Sequence, residues 1–316
     1  MDPQQRVFLE RGYAAMHTSG CTRSALLGSG TGVALGIYAT EFGQIVAQTP
    51  QRYSVYASTS SSLSIASGRL SYVLGLQGPC ASFETACSAA LVACHSAMRA
   101  LQYGECDVHV AAGVNLMLLQ ASSLGLAVAG MTSVSGRSHT FDRRADGFAR
   151  GEGCSVVVLQ TQTTASASRH VQGSAVRQDG RSASLTAPSG QAQQVLLRAG
   201  WSDAGCASPE PALIEAHGTG TALGDPIEVG ALASVVAGRR DGELFALCGV
   251  KANLAHGEST AGLTGLLCLA SALQARTTAP NAQLCALNSH VGSGLWRVLC
   301  ALPTQLMPKV AVLSKE

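Results

Sequence analysis

The chain has 316 residues, of which 47% are hydrophobic and 13% charged, so it can bury a large core, and its composition excludes a disordered protein. Its formal net charge is +2, and its three lysines and scattered arginines form no basic run, which gives no support for nucleic-acid binding. The eleven cysteines include no C-x-x-C pair, so we predict thiols in a reducing compartment, with no disulfide framework and no metal site.

The first half of the chain alternates helical and strand patterns. The predicted elements are a helix at residues 7–16, a strand at 33–37, a helix at 87–101, and strands at 108–112 and 155–159.

No Asp, Glu, Lys or Arg occurs between Asp107 and Arg137, but polar residues and glycines interrupt this stretch, so we interpret it as core and not as a membrane span. The first residues are too polar for a signal peptide. A polar segment at 160–169 is the predicted junction between an N-terminal half, 1–159, and a C-terminal half, 170–316.

The second half continues the alternation. A strand is predicted at 212–215, and the next helix is predicted to begin with Asp225 as N-cap, Pro226 at N1 and Glu228 at the capping-box position N3. A further helix is predicted to begin after His256. Alternating strands and helices indicate an α/β fold.

Cys87 lies at the predicted junction of a strand with a helix, in Phe83-Glu84-Thr85-Ala86-Cys87-Ser88. A thiol is a poor nucleophile until it ionises, and the unpaired N–H groups and dipole of a helix N-terminus lower a thiol pKa. The N–H of Cys87 could also donate to the oxyanion of a tetrahedral intermediate. A buried structural cysteine is the alternative when this segment is considered alone.

Two distant histidines complete the set of residues that covalent thioester chemistry needs. His217 lies in Glu215-Ala216-His217-Gly218-Thr219-Gly220-Thr221, and His256 lies in Lys251-Ala252-Asn253-Leu254-Ala255-His256. Two neutral imidazoles can donate hydrogen bonds to a thioester carbonyl and stabilise an enolate. Alternatively, His217 is a loop histidine bonded to backbone, and Lys251, which could orient the pair, forms a salt bridge with Glu258.

These three segments, in this order, resemble the active-site motifs of β-ketoacyl synthases. The likeness is greatest to the ketosynthase domains of type I polyketide synthases, within the thiolase-like family. Further matches extend the likeness over residues 1 to about 290, at 1–6, 66–72, 141–148, 178–180 and 185–188.

The resemblance implies a thiolase-like fold of two similar βαβ halves in α-β-α-β-α layers, with residues 1–316 forming a single, partial ketosynthase domain. It implies that Cys87 accepts an acyl chain from the phosphopantetheine arm of an acyl carrier protein. His217, His256 and Lys251 would support decarboxylation of a carrier-bound malonyl unit. Thr219 and Thr221 match positions that contact pantetheine. A homodimer that binds no cofactor of its own is expected, with no nucleic-acid or membrane partner.

The chain also departs from the family pattern. Glu84 stands where Asp is usual, Ala89 and Ala90 replace serines, and Ala255 and Gly257 flank His256 where Gly and Thr are commoner, which could shift the ring. The likeness also begins and ends inside the family's usual length, without the N-terminal segment and the Gly-Phe-Gly-Gly-Thr-Asn-Ala-His-type loop. We therefore expect a fragment of a ketosynthase with impaired activity.

Three alternatives remain open from the sequence. The first is the equivalent domain of a fatty acid synthase, and the second is a truncated, non-catalytic scaffold or dimerisation protein. The third is another thioester enzyme such as a thiolase, which the Gly-Thr-Gly-Thr loop and the Lys251–His256 pairing disfavour. The expected compartment is the cytoplasm, with a plastid as the alternative because a targeting peptide could precede these residues.

Overall fold

The computed structural model describes residues 1–38, 40–161, 169–206, 211–237, 244–296 and 298–308. The chain divides into two compact units. Unit one comprises Met1–Val128, Gly151–Ala167 and Gly257–Thr264, and unit two comprises Ala129–Arg150, Ser168–His256 and Gly265–Glu316. Most of the predicted junction, residues 162–168, lies outside the described residues, and the predicted division into halves 1–159 and 170–316 stays a prediction.

Unit one contains a sheet and the helices that cover it. Its helices are α1 (Pro3–Thr18), α2 (Arg23–Leu26), α3 (Thr40–Ala47), α4 (Ala57–Ser61), α5 (Leu63–Leu74), α6 (Ala89–Gln102) and α7 (Gln120–Val128). Its strands are β1 (Gly32–Ile37), β2 (Cys80–Phe83), β3 (Val108–Asn115) and β4 (Gly153–Gln160). The predicted elements of the first half are therefore confirmed, and each end lies within four residues of the prediction.

Local sequence sets the ends of two helices in unit one. The Asp2 carboxylate accepts the Gln4 N–H at 2.8 Å, and Pro3 occupies the first turn, so α1 begins there. Helix α5 ends at Gly75, whose φ of 71° is a left-handed conformation that glycine adopts without steric cost.

The sheet of unit one has the strand order β2-β1-β3-β4. Strand β1 is parallel to β2 and β3, and β4 is antiparallel to β3. Every residue of β1 is buried, as expected for a parallel strand that is covered on both faces. Leu35 and Val110 of this sheet pack with Phe8 of α1 and Leu70 of α5.

Helix α6 approaches the sheet at two glycines. A Cβ atom on Gly36 would lie 2.5 Å from the Ala90 backbone nitrogen, and one on Gly113 would lie 2.6 Å from the Ala90 Cβ. Such distances are far below van der Waals contact, so side chains at these positions would push the helix away. Glycine in β1 and β3 therefore sets the depth at which the N-terminus of α6 packs.

Unit two has its own parallel sheet. Its helices are α8 (Gly190–Asp203), α9 (Gly224–Val236), α10 (Lys251–Leu254), most of α11 (Ala261–Ala275) and α12 (Ser289–Leu295). Its strands are β5 (Leu213–Glu215), β6 (Phe245–Cys248), β7 (Thr277–Thr278), β8 (Cys300–Ala301) and β9 (Met307–Pro308). Strands β5, β6 and β8 are parallel in that order, and β7 pairs with β9. The core around them includes Phe141, Val229, Phe245, Leu247 and Val291.

The predicted capping box at the start of α9 is wrong. The helix begins at Gly224, and its N-cap residue, Leu223, makes no side-chain capping bond. The Thr221 hydroxyl accepts the Gly224 N–H at 3.1 Å instead. Asp225 and Glu228 lie inside the helix, and their carboxylates accept N–H groups from other segments, which a short-range motif cannot reveal.

The prediction of an α/β fold is confirmed, because both units combine parallel strands with covering helices. The order of layers that the resemblance implies stays a prediction. Within the described part of the chain, every helix is too short or too polar to cross a membrane.

Candidate active site

Cys87 belongs to unit one and occupies a 3-10 turn, Ala86–Ser88, that leads directly into α6. The Ser88 hydroxyl bonds to the Thr85 carbonyl at 2.8 Å and to the Thr85 hydroxyl at 2.8 Å, which closes the turn. Ala86 has φ of 51°, a left-handed conformation that costs an alanine roughly 1–2 kcal/mol. This strained residue immediately precedes a half-buried thiol at the start of a helix.

His217 belongs to unit two and lies on the turn after β5. The Ala216 N–H donates to the Cys248 carbonyl at 2.9 Å, so the strand pairing continues up to the histidine. The turn then bends through Gly218 and Gly220, with φ of 47° and 77°. A Cβ atom on Gly220 would lie 2.7 Å from the His139 backbone nitrogen, so this turn requires glycine for space as well as for conformation.

His256 is buried and follows α10 in the same unit. Its N–H donates to the Ala149 carbonyl at 2.8 Å, and the Phe148 ring packs edge-on against the imidazole with centroids 4.9 Å apart. The preceding Ala255 has φ of 63° and ψ of −178°, a conformation that is essentially restricted to glycine. The family's preference for glycine at this position thus has a physical reason, and alanine keeps the same turn at the cost of strain.

The structure brings the two predicted histidines together within unit two. Their ring centroids are 5.6 Å apart and the rings are nearly perpendicular, at 87°. Desolvation by the surrounding protein, and secondly the charge of Lys251, lower the pKa of His217 to about 3, although part of the residue stays accessible to solvent. The same causes, with a smaller contribution from His217, lower the pKa of His256 to about 2. Both imidazoles are therefore neutral at pH 7, and each offers one N–H donor.

Lys251 is buried and is the first residue of α10. Its ammonium donates to the His217 carbonyl oxygen at 2.5 Å, so it acts on the backbone that holds the histidine. Glu228 accepts the N–H groups of His217 at 2.5 Å and of Gly218 at 2.8 Å. The backbone of His217 is therefore held on one side by the Lys251 ammonium and on the other by the Glu228 carboxyl group, whose pKa is raised by burial.

The two predicted pantetheine contacts lie side by side on the turn after His217. The Thr219 and Thr221 hydroxyl oxygens are 3.2 Å apart. Asp225 stabilises this turn, because its carboxylate accepts the Gly220 N–H at 3.1 Å and the Phe141 N–H at 2.8 Å. Burial raises the pKa of Asp225 to about 6.

Sequence reasoning missed the functions of Glu228, Asp225 and Phe148. The sequence pattern predicts helix-capping roles for the first two, although carboxylates inside an apolar helix are a signal of tertiary hydrogen bonding. Phe148 fell within a segment that resembles the family, but no local pattern indicated that its ring contacts His256.

Two family models match the chain. The model described as the N-terminal domain of β-ketoacyl synthase matches residues 1–165, and the model of the C-terminal domain matches residues 169–284.

Curated relatives are type I polyketide synthases or components of them. The chain is 39% identical over 313 residues to a component of the phenolphthiocerol/phthiocerol polyketide synthase of Mycobacterium tuberculosis, covering 98% of this chain and 20% of that protein. It is 43% identical over 280 residues to a phenolphthiocerol synthesis type I polyketide synthase of Mycobacterium bovis, covering 87% of this chain and 13% of that protein. The chain thus spans only about a fifth or less of the length of these relatives.

Solved ketosynthases have a similar fold. The ketosynthase from module 6 of the bacillaene synthase of Bacillus subtilis matches with a TM-score of 0.89 and 34% identity, covering 99% of this chain and 54% of that one. An oxazolomycin ketosynthase domain of Streptomyces albus matches with a TM-score of 0.87 and 32% identity, covering 98% and 54%. With these matches, the chain belongs to the β-ketoacyl synthase family and has the thiolase-like fold of polyketide ketosynthases.

Proposed function

We propose that the chain catalyses the decarboxylative Claisen condensation of polyketide ketosynthases. The observation that supports this most is the pair of neutral imidazoles of His217 and His256. Their ring centroids lie 5.6 Å apart, and the buried ammonium belongs to Lys251. Each neutral imidazole offers one N–H donor, and two such donors can stabilise an oxyanion.

The first step is acyl transfer. The Cys87 sulfur attacks the thioester carbonyl of a carrier-bound acyl chain, the new carbon–sulfur bond forms, and the pantetheine thiol leaves with the proton. The turn at Ala86–Ser88 presents the sulfur at the start of α6, where helix N–H groups favour the thiolate. The proposal requires that the Cys87 sulfur comes within hydrogen-bond reach of both imidazoles.

Decarboxylation and condensation follow. The bond between the malonyl Cα and its carboxylate breaks, CO₂ leaves, and the electron pair moves to the thioester oxygen, which accepts hydrogen bonds from His217 and His256. The enolate carbon then attacks the acyl-Cys87 carbonyl, and the Cys87 thiolate leaves. The product, longer by two carbons, stays on the carrier.

The partners are proposed on the same basis. An acyl carrier protein would present the phosphopantetheine arm, with its amides beside Thr219 and Thr221. A homodimer is proposed because β2 is an edge strand of its sheet, with Cys80 and Ala81 exposed.

A reducing, cytoplasmic compartment is proposed because oxidation of Cys87 would remove the nucleophile. The polyketide pathway is preferred to fatty acid synthesis because the relatives described above are polyketide synthases.

The test is an assay of the folded 316-residue chain with an acyl-pantetheine thioester and a malonyl carrier protein. An acyl adduct on Cys87 by peptide mass spectrometry, release of CO₂ and a β-ketoacyl carrier product would support the proposal, against the impaired activity that the departures from the family pattern predict. A folded chain that forms no adduct and releases no CO₂ would instead indicate the non-catalytic scaffold, and analytical ultracentrifugation would show whether it dimerises.

A further inference from the structure

Glu215 lies at the end of β5, two residues before His217, and its half-buried side chain points toward α10. Its carboxylate accepts the Val250 N–H at 2.5 Å, immediately before Lys251. Helix α11 passes close by, because a Cβ atom on Gly265 would lie 3.2 Å from the Glu215 Cγ. The side chain therefore lies close to both α10 and α11 of unit two and is bonded to the beginning of α10.

The groups that face Glu215 differ in charge. Lys251 of α10 attracts the carboxylate, and Glu228 of α9 repels it. The thiols of Cys248 on β6 and Cys268 on α11 also lie near it, and burial keeps both protonated by raising their pKa, that of Cys248 to about 12. Among these neighbours, Lys251 is the only cation.

The contacts of Glu215 lead to both histidines. Val250 precedes Lys251, and the ammonium of Lys251 donates to the carbonyl oxygen of His217. The same short helix ends at Ala255, which is followed at once by His256. A shift at the start of α10 would therefore move the hydrogen-bond donor to His217 and the backbone of His256 together.

We propose that Glu215 is a positioning residue of the active site, whose carboxylate fixes the start of α10 and directs the Lys251 ammonium toward the His217 carbonyl. This inference rests on the proposed function, since the positioned groups are those assigned to decarboxylation. The ionised form supplies the attraction to Lys251, and the N–H of Val250 stabilises it.

The charge of Glu215 changes near neutral pH. Burial raises its pKa to about 7, against the Val250 hydrogen bond and the Lys251 charge, which lower it. The folded chain therefore passes from a protonated to an ionised Glu215 as the pH rises through about 7. Decarboxylation should increase over that range for this reason, in addition to any titration of substrate.

The experiment compares the full chain with E215Q, E215A and the control E105Q, which changes an exposed carboxylate of unit one. Glutamine keeps an oxygen for the Val250 N–H but removes the charge, whereas alanine removes both. Malonyl decarboxylation is measured from pH 6 to pH 8, with acylation of Cys87 as a separate readout. Hydrogen exchange of peptides covering residues 249–256 reports the start of α10 independently of activity.

We expect E215Q to slow decarboxylation on the order of 10- to 100-fold, to flatten the rise across pH 7 and to leave Cys87 acylation nearly unchanged. E215A should in addition speed exchange at 249–256, and E105Q should match the wild type. If the wild type decarboxylates the malonyl carrier and E215Q does so at the same rate at every pH, the positioning role is wrong. A folded wild type that neither becomes acylated at Cys87 nor releases CO₂ would overturn the proposed function. In that case, unchanged hydrogen exchange at residues 249–256 in E215A would also show that the Glu215 carboxylate does not fix the start of α10.

Discussion

Lys251 and Glu228 hold opposite sides of one short backbone segment: the ammonium binds the His217 carbonyl oxygen, and the carboxylate accepts the His217 N–H. Both side chains come from helices, α10 and α9, and both lie in unit two. The orientation of His217 thus depends on two side chains, an ammonium and a carboxyl group, that bond to its backbone from different helices.

Removing the Lys251 ammonium should lower the free energy of unfolding. Lys251→Met removes the ammonium that donates to the His217 carbonyl oxygen and attracts the carboxylates of Glu215 and Glu228, and removing one partner of a buried charged group costs about 3–5 kcal/mol. Urea unfolding should show this loss. The exposed pair Arg6–Glu10 provides the control, because Arg6→Met should change stability by less than about 1 kcal/mol. Equal losses in the two variants would contradict a buried, structurally important Lys251.

Ala255 should gain stability when replaced by glycine. Its φ of 63° and ψ of −178° are strained for alanine, at about 1–3 kcal/mol, and this exceeds the backbone entropy that glycine adds to the unfolded chain. We expect Ala255→Gly to raise the free energy of unfolding by about 1 kcal/mol. The matched control is Ala14→Gly on the exposed face of α1, which should lower it by about 1 kcal/mol. A loss of stability in both variants would show that Ala255 is not strained.

The folded chain should lose stability in acid through its buried histidines. Burial lowers the pKa of His109 from 6.5, so as the pH falls below that value the unfolded chain binds a proton that the folded chain does not. This group can therefore remove at most about 1.4 kcal/mol per pH unit. Glu215 and Asp225 act in the opposite direction, since their raised pKa values favour the protonated folded state as the pH falls.

A comparison of variants separates these effects. Urea unfolding of the wild type and of His109→Gln at pH 7.5 and pH 5.5 should show a smaller decrease for the variant, because glutamine does not titrate. The exposed His290 serves as control, and His290→Gln should keep the wild-type difference. If all three chains lose the same free energy between the two pH values, His109 is not the cause.

The sequence alone predicts α1, β1, α6, β3 and β4 of the first half and most of the candidate site. Cys87, His217, His256 and Lys251 were singled out from local motifs, and the structure brings the last three together in unit two. The positions of Glu228 and Asp225 on α9 were visible, but their partners were not, because those N–H groups lie on other segments. The left-handed conformation of Ala255 was also invisible, since it results from the turn between α10 and His256 and opposes the preference of the residue itself.

Cys87 should react with iodoacetamide faster than the other ten cysteines of the folded chain. Its place at the start of α6 favours the thiolate, whereas burial raises the pKa of Cys94 to about 11 and those of Cys154 and Cys300 to about 12. The informative references are Cys80, Cys206 and Cys285, because they are more exposed than Cys87 and faster labelling of Cys87 could not then result from better access. Timed alkylation followed by peptide mass spectrometry measures each rate. Faster labelling of these three would contradict an activated nucleophile.

The two chemical steps should respond differently to Cys87→Ala and His256→Ala. Without the thiol, no acyl adduct can form, but the imidazoles remain neutral donors, so Cys87→Ala should retain decarboxylation of the malonyl carrier. Without the His256 ring, one of the two donors to the enolate oxygen is missing, and loss of one such donor typically slows a reaction about 10²–10³-fold. His256→Ala should therefore slow decarboxylation by that factor while Cys87 still becomes acylated. Release of CO₂ and the mass of the acyl adduct measure the two steps separately, with His290→Ala as the matched control for loss of an exposed imidazole. The same losses in both steps for the two variants would show that the thiol and the imidazole act as one unit and that the division of roles is wrong.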